Sequence, residues 1–166
     1  QHLKDVVTGL KKMSIFGLNI TIPYKTDIID YCDELSDDAK IIQAVNTVEI
    51  KDGKWIGHNT DWYGVYQTLL VNKISSSSNV LIIGAGGATN GVVYGLKKYN
   101  IHNITITNRT LQKAEEIQRI FDLRVLEYSD YKNNINDFDL IINSTSIEFI
   151  NLIDSFNENS IYFDLK

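Results

Sequence analysis

The sequence has a single cysteine, a single proline and three arginines, and it has no apolar run long enough to cross a membrane. One cysteine, Cys32, excludes an internal disulfide and predicts a packed thiol in a protein of the reducing cytoplasm. Few arginines and a net charge of −5 argue against a nucleic-acid-binding surface. Without a signal-like N-terminus or about 18 consecutive apolar residues, no membrane association is expected.

The histidines are also few, and His2, His58 and His102 show no metal-ligand spacing with one another or with the cysteine. No metal site is therefore predicted. The remaining composition is that of an ordinary globular chain, with 166 residues of which 43% are hydrophobic and 22% charged. That length suits one ordinary domain or two small ones. The abrupt start at Gln1 and a strand-like C-terminal end lead us to expect a chain truncated at both ends.

The most informative stretch is NVLIIGAGGATNGVVYG, residues 79–95. Four apolar residues lead into three glycines, and apolar positions then recur at helical spacing, which predicts a buried parallel strand, a tight turn and a helix. The unpartnered N–H groups at such a helix start favour a phosphate, which glycines allow to approach closely. The last position of G-x-G-x-x-G falls on Thr89, so a purely structural turn remains an open alternative.

Strand and helix patterns alternate beyond this turn, which predicts a parallel, doubly wound sheet. Before the turn, an Asp52-Gly53 pair between two strand-like runs predicts a hairpin. The fold class is thus α/β, with a first α/β part followed by a Rossmann-type domain, and the boundary between them is expected between Asp61 and Asn79. The predicted helices are 3–13, 26–35, 37–42 with Ser36 as N-cap, 61–71 and 111–121; the predicted strands are 15–22, 44–50, 54–57, 80–83, 104–107, 125–126, 139–142 and 161–163. In the helix at 61–71, the expected core positions are Tyr63, Tyr66, Leu69 and Leu70.

Several polar residues are brought together by the predicted strands and are candidate substrate ligands. The hairpin places the start of its first strand near the end of its second, so Asn46, Asn59 and Asp61 converge. Asn19 and Thr21 share one face at the end of an earlier strand.

Lys25 and Asp61 are the candidates for acid-base chemistry. Reducing a carbonyl requires a proton for the developing alkoxide, and a lysine ammonium both polarises the oxygen and donates the proton. A neighbouring carboxylate holds the lysine and hydrogen-bonds substrate hydroxyls. Spacing alone leaves open that each is a solvated charge at a helix end.

A second polar cluster, Asn108-Arg109-Thr110, follows the second strand of the predicted sheet. In this fold an acidic residue at that position selects NAD, whereas an arginine pairs with the 2′-phosphate of NADP. We therefore predict NADP(H) as cofactor. The alternative is that Arg109 is solvated and Thr110 only caps the next helix. Residues 143–146, which include Thr145, end another strand and either line the nicotinamide side or form an ordinary polar loop.

Five motifs in order make the chain resemble the shikimate dehydrogenase family. They are GLNITIPYK at 17–25, AVNT at 44–47, GHNTD at 57–61, GAGGA at 84–88 and NRT at 108–110. The resemblance implies reversible, NADPH-dependent reduction of 3-dehydroshikimate to shikimate in aromatic amino-acid biosynthesis. It also implies an incomplete N-terminal α/β substrate domain at 1–61, followed by a Rossmann-type NADP-binding domain at 62–166. The implied protein acts as a monomer or a homodimer on a small-molecule substrate.

Carried over by position, the resemblance makes Lys25 the acid/base, Asp61 its partner, and Asn46 and Thr21 substrate ligands. It assigns the pyrophosphate to Gly84, Ala85, Gly86, Gly87 and Ala88, and the adenosine phosphate to Asn108, Arg109 and Thr110. Three alternatives stay open: a quinate/shikimate enzyme using NAD, a catalytically silent ligand- or nucleotide-binding paralogue, and a Rossmann-type structural domain. Arg109 argues against the first, and the retained Lys25 and Asp61 against the second.

Overall fold

The structure is a computed structural model that describes residues 2–147 and 157–165. The chain divides into two compact units, Gln1–Asp61 and Trp62–Lys166. None of the helices in the described ranges has the length and apolar character needed to cross a membrane.

The described elements of the first unit are α1 (His2–Leu10), β1 (Gly17–Asn19), a 3-10 helix (Asp27–Tyr31), β2 (Glu34–Leu35), α2 (Asp37–Ile42), β3 (Thr47–Lys51) and β4 (Lys54–His58). The four strands form one sheet in the order β1-β3-β4-β2. Strand β2 runs parallel to β4, and the other neighbouring strands are antiparallel.

The predicted hairpin is confirmed, with β3 and β4 joined at Asp52 and Gly53. These two residues have φ of 52° and 78°, the left-handed pair that a two-residue hairpin turn needs to match strand twist. The register places Thr47 opposite His58, so the residues on either side of the hairpin's open end are neighbours. Ser36 also caps α2 as predicted, accepting a hydrogen bond from the Ala39 amide at 3.2 Å.

The helix predicted at 3–13 ends at Leu10, and the strand predicted at 44–50 begins at Thr47. Two further predicted elements of this unit are wrong in type or in most of their length. The helix expected at 26–35 is only a 3-10 helix followed by β2, because Asp33 pairs with the neighbouring strand. Its amide donates to the Trp55 carbonyl, and its carboxylate accepts from the Trp55 amide, each at 2.8 Å. The strand expected at 15–22 is regular only over β1, since the chain turns where the Tyr24 amide bonds the Thr21 carbonyl.

The Cys32 thiol packs inside this unit, where Sγ donates to the Ile28 carbonyl at 3.4 Å. Burial, and then the charge of Asp33, raises the pKa of Cys32. The protonated thiol therefore predominates at neutral pH, which fits a packed side chain better than a nucleophile.

The described elements of the second unit are α3 (Asp61–Val71), β5 (Val80–Ile83), α4 (Thr89–Lys98), β6 (Ile104–Thr107), α5 (Leu111–Phe121), β7 (Arg124–Val125), a 3-10 helix (Ile135–Asp137), β8 (Leu140–Asn143) and β9 (Ile161–Asp164). These five strands form a fully parallel sheet in the order β7-β6-β5-β8-β9. The chain starts at the central β5, continues outward to β7 and returns to β8, so the predicted doubly wound sheet is confirmed. Its switch point lies between β5 and β8.

Helix α3 packs closely on α4 because Gly95 carries no side chain: a Cβ there would lie 2.6 Å from the Trp62 carbonyl oxygen. Leu69 is buried, as predicted for the core. Tyr63 and Leu70, also predicted as core, are 52% and 49% exposed, so that part of the prediction is wrong. The buried stripe of α3 is narrower than its apolar pattern, and the Tyr63 ring stacks on Tyr66 instead.

Gly57 tests the packing of the first unit. A Cβ at this β4 position would lie 2.7 Å from side-chain carbons of Leu35 and Val45 and 3.0 Å from Cys32 Sγ. We expect Gly57→Ala to lower the free energy of unfolding by about 1–3 kcal/mol, measured by urea denaturation with tryptophan fluorescence. The control is Gly64→Ala in α3, where a Cβ meets nothing within 4 Å and helix propensity favours alanine. An unchanged midpoint for Gly57→Ala would contradict this packing.

Candidate active site

Lys25 and Asp61 form an ion pair, with Nζ 2.7 Å from Oδ2. Their side chains are 14% and 29% exposed, so the pair is shielded but reachable from solvent. The Lys25 carbonyl accepts from the Val45 amide at 2.7 Å, which ties the lysine to the segment leading into the hairpin. Asp61 is the first residue of α3. The fold of the chain thus brings together two charged side chains that lie 36 positions apart in sequence.

Two asparagines hold the carboxylate of Asp61 in place. Asn46 Nδ2 donates to Asp61 Oδ1 at 2.8 Å, so both carboxylate oxygens have a partner. Asn59 Oδ1 accepts from the Asp61 amide at 3.0 Å, and Asn59 Nδ2 donates to the Ala44 carbonyl at 3.1 Å. The predicted convergence of these residues is confirmed. Asn59 is only 4% exposed and bonded at both ends, so its side chain supports Asp61 and is not presented to a ligand.

Asn46 is the centre of this network. Its Oδ1 accepts from the Thr60 amide and from the Thr47 hydroxyl, each at 3.0 Å, and its Nδ2 also reaches Thr60 Oγ1 at 3.0 Å. The Asn46 side chain therefore ties the end of the hairpin to the residue before α3. Its rotamer is fixed before any ligand arrives, which is the kind of preorganisation that a reactive pair needs.

Asn19 and Thr21 lie beside this network with their side chains exposed. Asn19 is paired with Thr47 in the sheet, and the intervening Ile20 amide donates to the Asn46 carbonyl at 2.7 Å. Within the described residues, neither the side-chain amide of Asn19 nor the hydroxyl of Thr21 makes a hydrogen bond. Both are therefore available to a polar ligand next to Lys25 and Asp61.

The glycine turn after β5 requires glycine at Gly84. This residue has φ of 112°, and a Cβ would lie 2.6 Å from Thr145 Cγ2. Its amide donates to the Thr107 carbonyl at 2.8 Å, which joins the turn to the end of β6. The next amide, that of Ala85, donates to Asn108 Oδ1 at 3.2 Å. Ala85 N–H is thus already used by the chain, which the sequence pattern did not reveal.

The second half of the turn is open. A Cβ on Gly87 would meet no atom within 4 Å. In the part of the chain that the structure describes, the Gly87 and Ala88 amides donate to no protein atom. They precede the 10-residue helix α4, whose N-terminal dipole favours an anion. Two free amides and an uncrowded backbone are the features expected of a phosphate site.

The cluster after β6 is fastened to this turn by Asn108. Its Oδ1 accepts a hydrogen bond from the Ala85 amide, and its Nδ2 donates to the Thr110 carbonyl at 2.9 Å. Arg109, held between them, is exposed and forms no ion pair within residues 2–147 and 157–165. Thr110 occupies the N-cap position of α5, but its side chain makes no capping hydrogen bond. Capping alone therefore does not account for this cluster.

The loop after β8 is organised by Asn143, which is fully buried. Its Oδ1 accepts from the Thr145 amide and hydroxyl at 3.0 and 2.8 Å, and its Nδ2 donates to the Ile147 carbonyl at 2.8 Å. Thr145 thus uses its hydroxyl within the loop and turns its methyl group toward Gly84. The loop is packed against the glycine turn.

Sequence reasoning missed Asp164 at the end of β9. Its Oδ2 accepts from Asn143 Nδ2 at 3.1 Å and from the Tyr162 hydroxyl at 3.0 Å. Burial, together with the bond to this carboxylate, raises the pKa of Tyr162 to about 12. The available signal was the position of Asp164 at the carboxyl end of a parallel strand, beside Asn143 in register.

The parallel sheet and its glycine turn define the second unit as a Rossmann-type domain, preceded by a smaller α/β unit that carries a preorganised lysine–aspartate pair. The family model for shikimate / quinate 5-dehydrogenase matches residues 69–160. The model for the shikimate dehydrogenase substrate binding domain matches residues 1–48. The chain therefore belongs to the shikimate dehydrogenase family.

Individual relatives agree with this assignment. The shikimate dehydrogenase (NADP(+)) of Methanococcus maripaludis is 43% identical over 153 residues, covering 89% of this chain and 54% of that protein. The crystal structure of shikimate dehydrogenase from Aquifex aeolicus is 32% identical with a TM-score of 0.89, covering 98% of this chain and 63% of that one. The Thermus thermophilus enzyme in complex with NADP(H) and shikimate is 27% identical, with a TM-score of 0.82 and coverages of 98% and 63%. The chain spans between half and two thirds of their length.

Two glycines of the same turn are expected to respond differently to alanine. Gly84→Ala forces a side chain into left-handed backbone against Thr145, so we expect a loss of about 1–3 kcal/mol in the unfolding free energy. Gly87→Ala has room in the chain, so its stability should stay within about 0.5 kcal/mol of the parent. Thermal and urea denaturation of both variants measure this, and equal destabilisation would show that the turn is packed on both sides.

Proposed function

We propose that this chain carries the catalytic and cofactor-binding residues of an NADPH-dependent shikimate dehydrogenase, which reduces 3-dehydroshikimate to shikimate reversibly. The observation that carries the proposal is the Lys25–Asp61 pair at 2.7 Å, with the second carboxylate oxygen held by Asn46. A module that only binds ligands has no need of a lysine fixed in this way. Carbonyl reduction does, because its transition state needs a proton donor in a set position.

Lys25 is the proton donor in the proposed reaction. NADPH held by the second unit would supply the hydride for the carbonyl carbon of the substrate. The Lys25 ammonium hydrogen-bonds the carbonyl oxygen and transfers a proton to it as negative charge develops. In the reverse direction the neutral amine of Lys25 accepts the proton of the shikimate hydroxyl. Asp61 holds the ammonium in place and accepts a hydrogen bond from a substrate hydroxyl.

The remaining substrate contacts are assigned to side chains beside this pair. Asn19 and Thr21 are the proposed ligands for the polar groups of shikimate, since their side chains are exposed next to Asn46. Asn46 is a further proposed ligand: one hydrogen of its Nδ2 group holds Asp61, and the second reaches the substrate when the Thr60 hydroxyl donates to Asn46 Oδ1, the alternative pairing at 3.3 Å. Asn59 acts by positioning the Asp61 backbone. Residues 1–61 are thus proposed as the substrate-binding domain.

Residues 62–166 are proposed as the NADP-binding domain. The free amides of Gly87 and Ala88 would receive the pyrophosphate, within a turn formed by Gly84, Ala85 and Gly86. Arg109 is the proposed partner of the 2′-phosphate, with Asn108 and Thr110 fixing its loop. Thr145 shapes the nicotinamide side through its contact with the glycine turn. The NADP in the names of the relatives supports this choice of cofactor.

The wider setting follows from the activity. Shikimate formation belongs to aromatic amino-acid biosynthesis, and a cytoplasmic location is proposed because a sequence with a single cysteine suits a reducing compartment. The assembly is proposed to be a monomer or a homodimer.

Replacing Lys25 tests the assignment of the proton donor. We expect Lys25→Ala to lower kcat by at least about a hundredfold, because general acid-base catalysis acts only in the transition state. Shikimate affinity should change much less. The assay is NADPH formation from NADP and shikimate, with quinate and NAD as parallel arms and shikimate binding measured separately. The matched control is Lys40→Ala, which removes an exposed lysine that pairs with the neighbouring Asp37 at 3.0 Å.

An equal loss of kcat and of shikimate affinity would make Lys25 a binding residue only. If the unmodified protein binds NADP and shikimate but forms no NADPH, the silent-paralogue reading replaces the proposal. A faster rate with quinate and NAD than with shikimate and NADP favours the quinate/shikimate alternative.

Arg109 tests the choice between the two cofactors. We expect Arg109→Ala to weaken NADP binding about tenfold or more, the equivalent of one charge-assisted hydrogen bond or ion pair. NAD binding should be nearly unchanged, because NAD lacks the 2′-phosphate. The control is Arg119→Ala on α5, where the exposed guanidinium lies 4.0 Å from Glu115. Titration calorimetry with both cofactors measures the difference, and a parallel loss of both would remove the 2′-phosphate assignment.

A further inference from the structure

Thr89 occupies the position where the G-x-G-x-x-G pattern places its last glycine, and the proposed function gives it no role. It is the first residue of α4 and is fully buried. Its hydroxyl oxygen lies 3.0 Å from the Gly86 amide, 3.2 Å from the Gly84 carbonyl and 2.8 Å from Ser144 Oγ. A buried threonine with three polar neighbours is an unusual replacement for a glycine that serves only close packing.

The direction of these three hydrogen bonds follows from donor counting. A threonine hydroxyl has one proton to donate and two lone pairs that accept. The Gly86 N–H can only donate to it, and the Gly84 carbonyl can only accept from it. The arrangement that satisfies every group has the Ser144 hydroxyl donating to Thr89. The Thr89 hydroxyl is then fully used, within a buried site where an unmet polar group is costly.

Thr89 also fixes both peptide planes that flank Gly86. Its hydroxyl holds the Gly86 N–H, and its backbone amide donates to the Gly86 carbonyl at 3.0 Å. That carbonyl shares a planar trans peptide with the Gly87 N–H, so the two point in opposite directions. Holding the carbonyl toward Thr89 directs the Gly87 N–H away from it, which leaves this amide free for a ligand.

The same hydroxyl joins the glycine turn to the loop after β8. Ser144 reaches Thr89 through its side chain, while its amide donates to the Ile83 carbonyl at 2.8 Å. The two segments are also in direct contact, because a Cβ on Gly84 would lie 2.6 Å from Thr145 Cγ2. A glycine at position 89 could not make this link.

We propose that Thr89 is a positioning residue for cofactor binding, whose buried hydroxyl sets the orientation of the pyrophosphate-binding amides and couples the glycine turn to the loop after β8. The inference rests on the cofactor site of the proposed function. It assigns to one side chain what the usual glycine pattern leaves to the backbone. Since the pyrophosphate is common to both dinucleotides, Thr89 affects NADP and NAD alike, whereas Arg109 distinguishes between them.

The test compares Thr89→Val, which keeps the branched shape without the hydroxyl, with Thr89→Ser, which keeps the hydroxyl. Binding of NADP and of NAD is measured by titration calorimetry on the whole protein, with circular dichroism as a check on folding. We expect Thr89→Val to weaken both cofactors about tenfold or more and by similar factors, as for loss of a buried hydrogen-bonding group. Thr89→Ser should stay within about threefold of the parent, and shikimate affinity should be unchanged in both variants.

Ser144→Ala supplies an independent arm that holds even if Thr89→Val does not fold. It should weaken both cofactors in the same proportion, by less than Thr89→Val. In the double variant the Ser144 change should add little, because its effect acts through Thr89.

Four results would overturn the inference: unchanged binding in Thr89→Val, a loss confined to NADP, a Thr89→Ser variant as weak as Thr89→Val, or additive losses in the double variant. An unmodified protein that binds neither dinucleotide overturns the proposed cofactor site itself. An unmodified protein that binds and turns over while Thr89→Val binds equally well overturns only the role of Thr89.

Discussion

The carboxylate of Asp61 is the group on which the first unit's arrangement depends. A partly buried charge is tolerated only when its hydrogen-bonding capacity is met, and here Lys25 and Asn46 meet it at both oxygens. Asp61 and its two partners come from three separate stretches: the start of α3, the turn after β1 and the entry to the hairpin. Because each partner would be left with an unmet polar group if Asp61 moved, the network fixes all three stretches together. The hydrogen bonds that stabilise the Asp61 carboxylate therefore also make this part of the first unit rigid.

The glycine turn of the second unit shows the opposite arrangement, because two of its backbone amides have no hydrogen-bond acceptor within the described residues. The Ala85 and Gly86 amides are bonded to Asn108 and Thr89, while the Gly87 and Ala88 amides are left free in the described structure. Gly84 is needed because the chain itself crowds it, whereas Gly87 faces open space. The turn is thus tied down on one side so that the other side stays available, and its glycines serve two distinct physical purposes.

Local patterns carried most of what could be predicted. The Asp52-Gly53 pair predicts the hairpin, and the apolar runs of β5, β6 and β8 predict a buried parallel sheet. Both predictions are correct because each pattern depends on a few adjacent residues. The failures involve partners distant in sequence. The apolar pattern of residues 26–35 is typical of a helix, but the Asp33 amide donates to the Trp55 carbonyl of a neighbouring strand instead. Tyr63 fits an apolar helical face, but it is exposed because the packed face of α3 is narrow. The site residues were predicted by type and position, but their division into ligands and supports, as for Asn59 and Thr89, depends on burial and bonding that spacing does not encode.

Helix α3 begins at Asp61, the last residue of the first unit, and continues into the second. The two units are therefore not interchangeable modules separated by a neutral linker. A recombination event or a designed fusion that joins a different partner domain after residue 60 would deliver a first unit without its carboxylate. One that joins after residue 61 would keep the carboxylate but remove the helix that orients it. Exchange of the second unit for another domain is thus constrained to junctions that carry at least the first turn of α3 along with the first unit.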